Sequence, residues 1–312
     1  RAHAIFLGVN GELDWTLLAL ASAATFAVVT AFDKRLIDRH LPSLASFYAA
    51  VCITLIISAA VVLVATGGPE SAPTENLIVA AVSGLCWSAG LAMTFWGYKL
   101  EEASRASAVI HIFPVFVAIM AVGFLDETLI AGQWVAIVIV VTGAMMASLR
   151  GSAGGGLGRL TRAFPVLIGA SFFTALAHLT GKYALQEVSV WTFFPIRSSV
   201  MAVGFFFLAK PQAFRQLLVA MRDRKTLVLV VVSEFIMAPV GSLSLAGATS
   251  LGPVSLVSTL AATRPLFVFA ITTVLSAPRI RLLEEPLERT TLALKVASLV
   301  LIVGGTVALT LL

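Results

Sequence analysis

Charge is what this sequence has least of. Only 12% of its 312 residues are Asp, Glu, Lys or Arg, against 59% that are hydrophobic, and the mean hydropathy is +1.00. A soluble globular domain is about one quarter charged and about half apolar, so that class is excluded and the chain reads as a membrane protein. Cysteine is almost missing. Cys52 and Cys86 stand inside apolar runs, away from any CxxC or His pairing, which speaks against a disulfide framework or thiolate metal site and leaves them as small packing residues. No basic flank with a short apolar core and a small-residue cleavage site opens the chain, so no run reads as a cleaved signal peptide. Paired acids for a divalent cation and an intramembrane Ser/His set are also wanting, which counts against a membrane enzyme acting on a lipid or isoprenoid substrate, the alternative reading. No cofactor or metal is implied.

What the sequence does contain is length of apolar run. Ten runs, 15–32, 44–66, 76–97, 105–124, 130–149, 164–184, 190–209, 226–246, 254–276 and 291–311, are separated by short polar breaks. Many approach the roughly 20 residues that cross about 30 Å of hydrocarbon as helix. The net charge of +5 would favour nucleic acid in a soluble protein; here the placement of the cations matters more, and no nucleic-acid partner is implied. Most of the 21 Lys and Arg residues fall in the odd-numbered connections, while Arg1 and Lys182 mark the other face. By the positive-inside rule the odd connections are cytoplasmic and both chain ends lie outside.

The text is written twice. The glycine-rich "GSAGGGLGRL" (151–160) follows no strand and precedes no P-loop lysine, so it reads as a flexible connector, with residues 1–150 and 164–312 as the two halves and 151–163 between them. "LALASAATFAVVTAFDKRL" (18–36) parallels "VLIGASFFTALAHLTGKYA" (166–184), setting Lys34 opposite Lys182. Pro114 falls opposite Pro265, and "WVAIVIVVTGA" (134–144) opposite "KVASLVLIVGG" (295–305). Five crossings per half is an odd number, so the second half is expected upside down relative to the first. The expected fold is an all-α membrane protein of ten transmembrane helices in two inverted five-helix repeats, an architecture that puts a substrate site near the midplane between the halves. The two prolines read either as cavity-lining breaks or as packing kinks, since a proline in lipid frees a carbonyl that something else must satisfy.

These features together resemble the EamA-like members of the drug/metabolite transporter superfamily. The resemblance rests on the span count, the lysine ending the first span of each half, "ASAVIHIFPVFVAIMAVGFLDETL" (106–129) and its partner in the ninth span, and the acid-then-glycine close of each half: Glu127 with "VTGA", then Glu285 or Glu288 with "VGGT". The arginine that the pattern places early in the second span is replaced near Phe47 and Tyr48, whereas its counterpart Arg197 is present. The resemblance implies a secondary transporter of small metabolites such as amino acids, nucleotide sugars, phosphorylated sugars or amphipathic drugs.

Three charges stand where lipid should forbid them. Of sixteen acids only Glu234 falls deep within a run, and Arg197 and Arg264 are the arginines so placed. A bare charge there costs at least about 2.5–3.5 kcal/mol, so each needs a partner or a wet cavity. Either Glu234 pairs with Arg197 or Arg264 and fixes the packing, or the arginines hold an anionic or zwitterionic substrate while Glu234 couples a proton. His111 reads as a substrate donor or a helix-to-helix bond. His178 and Lys182 read as a polar gate or, for Lys182, as an interfacial lysine. Trp87, Trp96 and Phe194, with Phe95, Phe172, Phe173, Trp191 and Phe193, supply either the apolar wall of a small-molecule site or packing. The partners expected are a small organic solute and membrane lipid, with a homodimer left open. The function expected is alternating-access transport, coupled to protons or by exchange, in a cell membrane.

Overall fold

The computed structural model describes residues 11–100, 109–148, 163–275 and 289–311. Among them the chain is helix and connection with no strand. The helices are α1 (Gly11–Arg35, prolonged by a π-helical turn Leu36–His40), α2 (Leu44–Thr66), α3 (Thr74–Leu100), α4 (Phe113–Phe124), α5 (Ala131–Ser148) and α6 (Ala163–Leu185). There follow α7 (Val190–Ala209), α8 (Pro211–Ala220), α9 (Arg224–Leu251, with a π-helical stretch Val231–Met237), α10 (Val254–Ala261), α11 (Arg264–Leu275) and α12 (Arg289–Leu311).

Among the described residues six helices are long and apolar enough to cross a membrane: Trp15–Asp33, Leu44–Thr66, Thr74–Gly97, Ala163–Leu185, Val190–Ala209 and Arg224–Leu251. Phe113–Phe124, Ala131–Met146, Val254–Val268 and Val296–Leu309 are shorter apolar helices. Helix is what an apolar run adopts where water cannot satisfy the backbone, because every interior N–H and C=O then bonds within the segment. The ends are closed by side chains. Ser43 and Ser46 form a reciprocal cap at the start of α2, Ser189 accepts the Thr192 amide at the start of α7, and Asp223 accepts the Thr226 amide at 3.0 Å at the start of α9. Gly67, at φ 80°, ends α2 in a left-handed turn that a side chain would strain.

The packing runs across the sequence midpoint. α1 lies on α9, α10 and α11; α3 lies on α6 and α7; α2 pairs with α7, α5 with α12, and α4 with α6 and α10. Small residues permit the close approaches. A Cβ on Gly143 of α5 would sit 2.9 Å from the Ile302 side chain of α12, and one on Gly305 of α12 would sit 2.7 Å from Val140 of α5. The glycine-rich connector 151–163, save Ala163, lies outside the described residues, as do Glu285, Glu288 and the first residues of the fourth run.

The runs that carry Pro114 and Pro265 are both interrupted. A turn at His111 and Ile112 precedes α4, and a turn at Ala262 and Thr263 precedes α11, so Pro114 and Pro265 each occupy the first turn of a fresh helix. There the missing N–H costs little. The carbonyl that Pro114 leaves without its helical donor is that of Ile110, and Ser171 Oγ of α6 donates to it at 3.2 Å. The break is thus satisfied from the other half of the chain.

Candidate functional site

The polar interior begins with a stripe on α1. Ser22, Phe26, Val29 and Asp33 recur at steps of three and four, which places them on one face of a helix. That face meets the second half. Ser22 Oγ donates to the Gly241 carbonyl of α9 at 2.8 Å, the Phe26 ring lies under the Arg264 guanidinium at 4.7 Å, and Ser233 Oγ lies 2.9 Å from Asp33 Oδ1. Ser233 Oγ also stands 3.2 Å from Glu234 Oε1. Two carboxyl groups, one from each half, therefore share a single hydroxyl that has one hydrogen to give. The π-helical stretch Val231–Met237 contains both Ser233 and Glu234, and a second π-helical turn begins at Leu36, three residues after Asp33. Such bulges loosen the backbone ladder and recur at functional sites.

Asp33 is the residue that the sequence reading passed over. That reading closed the first run at 32; the structure carries α1 through Arg35 and onward to His40 as a π-helical turn, so Asp33 belongs to the helix. The i, i+4, i+7, i+11 spacing from Ser22 to Asp33 was the available signal.

The second part of the site is an aromatic row around two buried nitrogen-bearing side chains. Arg197, on α7, is 6% exposed; its guanidinium lies 4.7 Å from the centre of Trp87 and 5.5 Å from that of Phe193. Cation–π contacts of this kind steady the charge but do not use the in-plane N–H fork. His178, on α6, is 4% exposed and sits between Trp87, at 5.1 Å, and Phe113, stacked at 5.3 Å. Arg197 and Arg264 both stand near enough for their charges to act on His178, and Arg264 acts likewise on Asp33. The interior thus reads in order as Asp33 with Glu234, Arg264, His178, Arg197, built on elements from both sides of the midpoint.

Of the two ion pairs that the sequence offered Glu234, the one with Arg197 is not present: the groups against Glu234 are Asp33 and Ser233, and those against Arg197 are aromatic rings. His111 is half-buried in the turn before α4. Phe194 is buried in α7, three residues before Arg197. Trp96 stands apart, 55% exposed, in an open cleft of about 280 Å³ with Leu44, Tyr48, Ala92, Met93 and Leu208. Where the second span lacks the counterpart of Arg197, Phe47 and Tyr48 pack edge-on against Phe95 at 5.4 and 6.0 Å, so aromatic packing fills that position.

At one end of the bundle two charged side chains hold one turn. Lys182 Nζ donates to the carbonyls of Thr249 at 2.9 Å and Gly252 at 2.8 Å, capping the C-terminus of α9. Glu127, from the connection after α4, accepts the Val254 amide at 2.6 Å, the Ser255 amide at 3.3 Å and the Ser255 hydroxyl, capping the N-terminus of α10. Lys182 is therefore a helix cap. The backbone of Lys34 lies in α1, beside Asp33; its side chain lies outside the described ones.

Among curated proteins nothing matches the chain. Solved structures do, among them the crystal structure of a protein that superposes with a TM-score of 0.66 at 15% identity, the match covering 96% of each chain. At that identity the likeness shows the fold alone. Residues 13–149 match the model of the EamA-like transporter family. Over this first half the chain, an integral multi-pass membrane protein, is similar to the EamA-like transporter family of the drug/metabolite transporter superfamily.

Proposed function

We propose that the protein is a secondary transporter that carries a small anionic or zwitterionic organic metabolite by alternating access, coupled to a proton. The reading takes the ten apolar segments as ten spans and the halves 1–150 and 164–312 as inverted repeats joined by the glycine-rich connector. The exchange pattern of the packing supports it: the first span on the eighth is matched by the third on the sixth, while second with seventh, fourth with ninth and fifth with tenth map onto themselves. A two-fold pseudosymmetry relating the halves yields this pattern, and an odd number of crossings per half makes the relation an inversion.

One observation carries the function: the buried Glu234, His178 and Arg197 and the half-buried Asp33 and Arg264 converge at the junction of the halves instead of being dispersed. Charge buried in a membrane is costly and is kept where solutes or protons pass. Trp87 and Phe193 form the wall beside Arg197, Pro114 and Pro265 open the second parts of the broken helices that border the interior, and Lys182 with Glu127 closes one end. Orientation follows the cations, with the odd connections cytoplasmic.

Counterflow in sealed vesicles tests this reading. Vesicles loaded with an unlabelled metabolite pool should accumulate the labelled counterpart transiently in a protein-dependent way. Chemical turnover of a solute in detergent, with no counterflow in vesicles, would instead mark an enzyme.

A further inference from the structure

Arg197 and His178 are each more than nine-tenths buried, and among the described residues neither has a hydrogen-bond partner or a carboxylate within ion-pair distance. The Arg197 fork and the His178 ring nitrogens are thus buried polar groups that no described group of the chain occupies. A desolvated guanidinium that stands near two rings, and whose N–H fork no described group accepts, suits a planar, two-oxygen anion.

Charge counting fixes the class further. The described charged groups of this interior are Arg197 and Arg264 against Asp33 and Glu234, with Ser233 between the acids and His178 between the arginines. Two cations and two anions balance when both carboxyls are ionised and the site is empty. A bound monoanion unbalances the cluster by one charge, and one proton on the Asp33–Glu234 pair restores it. A phosphate dianion would need two protons or another cation.

From this geometry we infer that the substrate is a monocarboxylate, held by its carboxylate on the Arg197 fork beside His178, and that it binds together with one proton lodged between Asp33 and Glu234. The inference rests on the transport reading and specifies its cargo and coupling. The carboxylate and the proton enter as separate charges of opposite sign, no bond of the substrate breaks, and the net charge of the loaded site equals that of the empty one. Ser233 has one hydrogen to give to the two carboxyls, so a proton taken up between Asp33 and Glu234 supplies the second donor of the cluster. Arg264, whose charge acts on both Asp33 and His178, links the two events: an anion beside His178 weakens its hold on the acids.

The test uses the full-length protein in detergent with four aromatic probes of equal size class: benzoate, phenyl phosphate, benzylamine and phenylalanine. Benzoate should raise the thermal midpoint, more so at pH 5.5 than at pH 8, and calorimetry in buffers of differing ionisation enthalpy should report about one proton taken up per benzoate. Arg197→Gln should abolish the shift. Arg197→Lys, which keeps the charge and guards against a folding artefact, should weaken it at least tenfold. Glu234→Gln should retain benzoate binding and lose the proton uptake. Stabilisation by phenyl phosphate or benzylamine with none by benzoate, benzoate binding unchanged in Arg197→Gln, or binding without proton uptake in the wild type would each overturn the inference. Counterflow separates it from the transport reading. Movement of phenylalanine or phenyl phosphate without benzoate leaves a transporter and removes the monocarboxylate, whereas benzoate binding with no flux of any probe keeps the site and removes the transporter.

Discussion

Ser233 Oγ, on α9, lies 2.9 Å from Asp33 Oδ1, on α1, and thereby ties a carboxyl of the first half to the helix that carries Glu234 in the second. Removing either acid removes the shared proton site. Glu234→Gln and Asp33→Asn are each expected to abolish the pH dependence of uptake while leaving the protein folded. The double variant should resemble either single one, since the two act as a unit. Uptake measured from pH 5 to 8 checks this, and an unaltered pH profile in Asp33→Asn would remove that residue from the coupling site.

The clamp on the turn between α9 and α10 predicts a local loosening. Lys182→Met leaves the Thr249 and Gly252 carbonyls without their donor, at a cost of order 1.5–3 kcal/mol for hydrogen bonds to a charged group. Its first expression should be access to the turn rather than global unfolding. In a Ser250→Cys background, where native Cys52 and Cys86 are buried, maleimide labelling should speed up several-fold on Lys182→Met or Glu127→Gln. Equal labelling rates with and without the clamp would show that the turn is held by other contacts.

Gly84 is predicted to be intolerant of even one methyl group. Its Cβ would fall 2.6 Å from the Arg197 carbonyl and 3.1 Å from Val200 Cβ, where backbone cannot yield. Gly84→Ala should therefore push α3 from α7, cost about 1–3 kcal/mol by overpacking and displace Arg197 from Trp87. A lower thermal midpoint in detergent together with weaker substrate binding is the expected result. Gly123, which meets nothing within 4 Å, supplies the control, and Gly123→Ala should leave both quantities unchanged.

Outside the spans, Asp223 offers a pH-dependent cap. The Thr226 hydroxyl at 2.8 Å and the Thr226 amide at 3.0 Å hold its carboxyl below the usual range, with smaller help from the Lys225 amide and His40. A folded-state value below the unfolded one stabilises the fold above the unfolded pKa of about 3.9, and the gain is lost as pH falls through the folded value. Asp223→Ser should keep the cap and lose that acid-range dependence, as read from unfolding midpoints between pH 2 and 6.

Much of this was legible in the sequence because lipid imposes severe rules. The apolar runs marked the helices, Pro114 and Pro265 marked the interrupted ones, and Glu234, Arg197 and His178 stood out as polar groups that a membrane interior must accommodate. What stayed hidden depended on pairing across the midpoint. Asp33 was passed over because the first apolar run closes at 32, whereas α1 continues through Arg35 and carries that carboxyl to Ser233. Glu127 and Lys182 read as a family motif and an interfacial lysine, and only the approach of the 249–255 turn made them caps. Trp96 read like Trp87 because both are aromatics in one span, yet nine residues on a helix of 3.6 per turn is two and a half turns, which sends the two rings to opposite sides.

The central claim is that the interior beside Arg197 opens to each side of the membrane in turn. Ser198, next to Arg197 and 2% exposed, is the place to ask. In sealed vesicles of uniform orientation, with Cys52 and Cys86 replaced by Ala, Ser198→Cys should react with a small membrane-impermeant thiol reagent supplied from either side, and substrate should slow both reactions. Labelling from one side only, or from neither, would contradict alternating access.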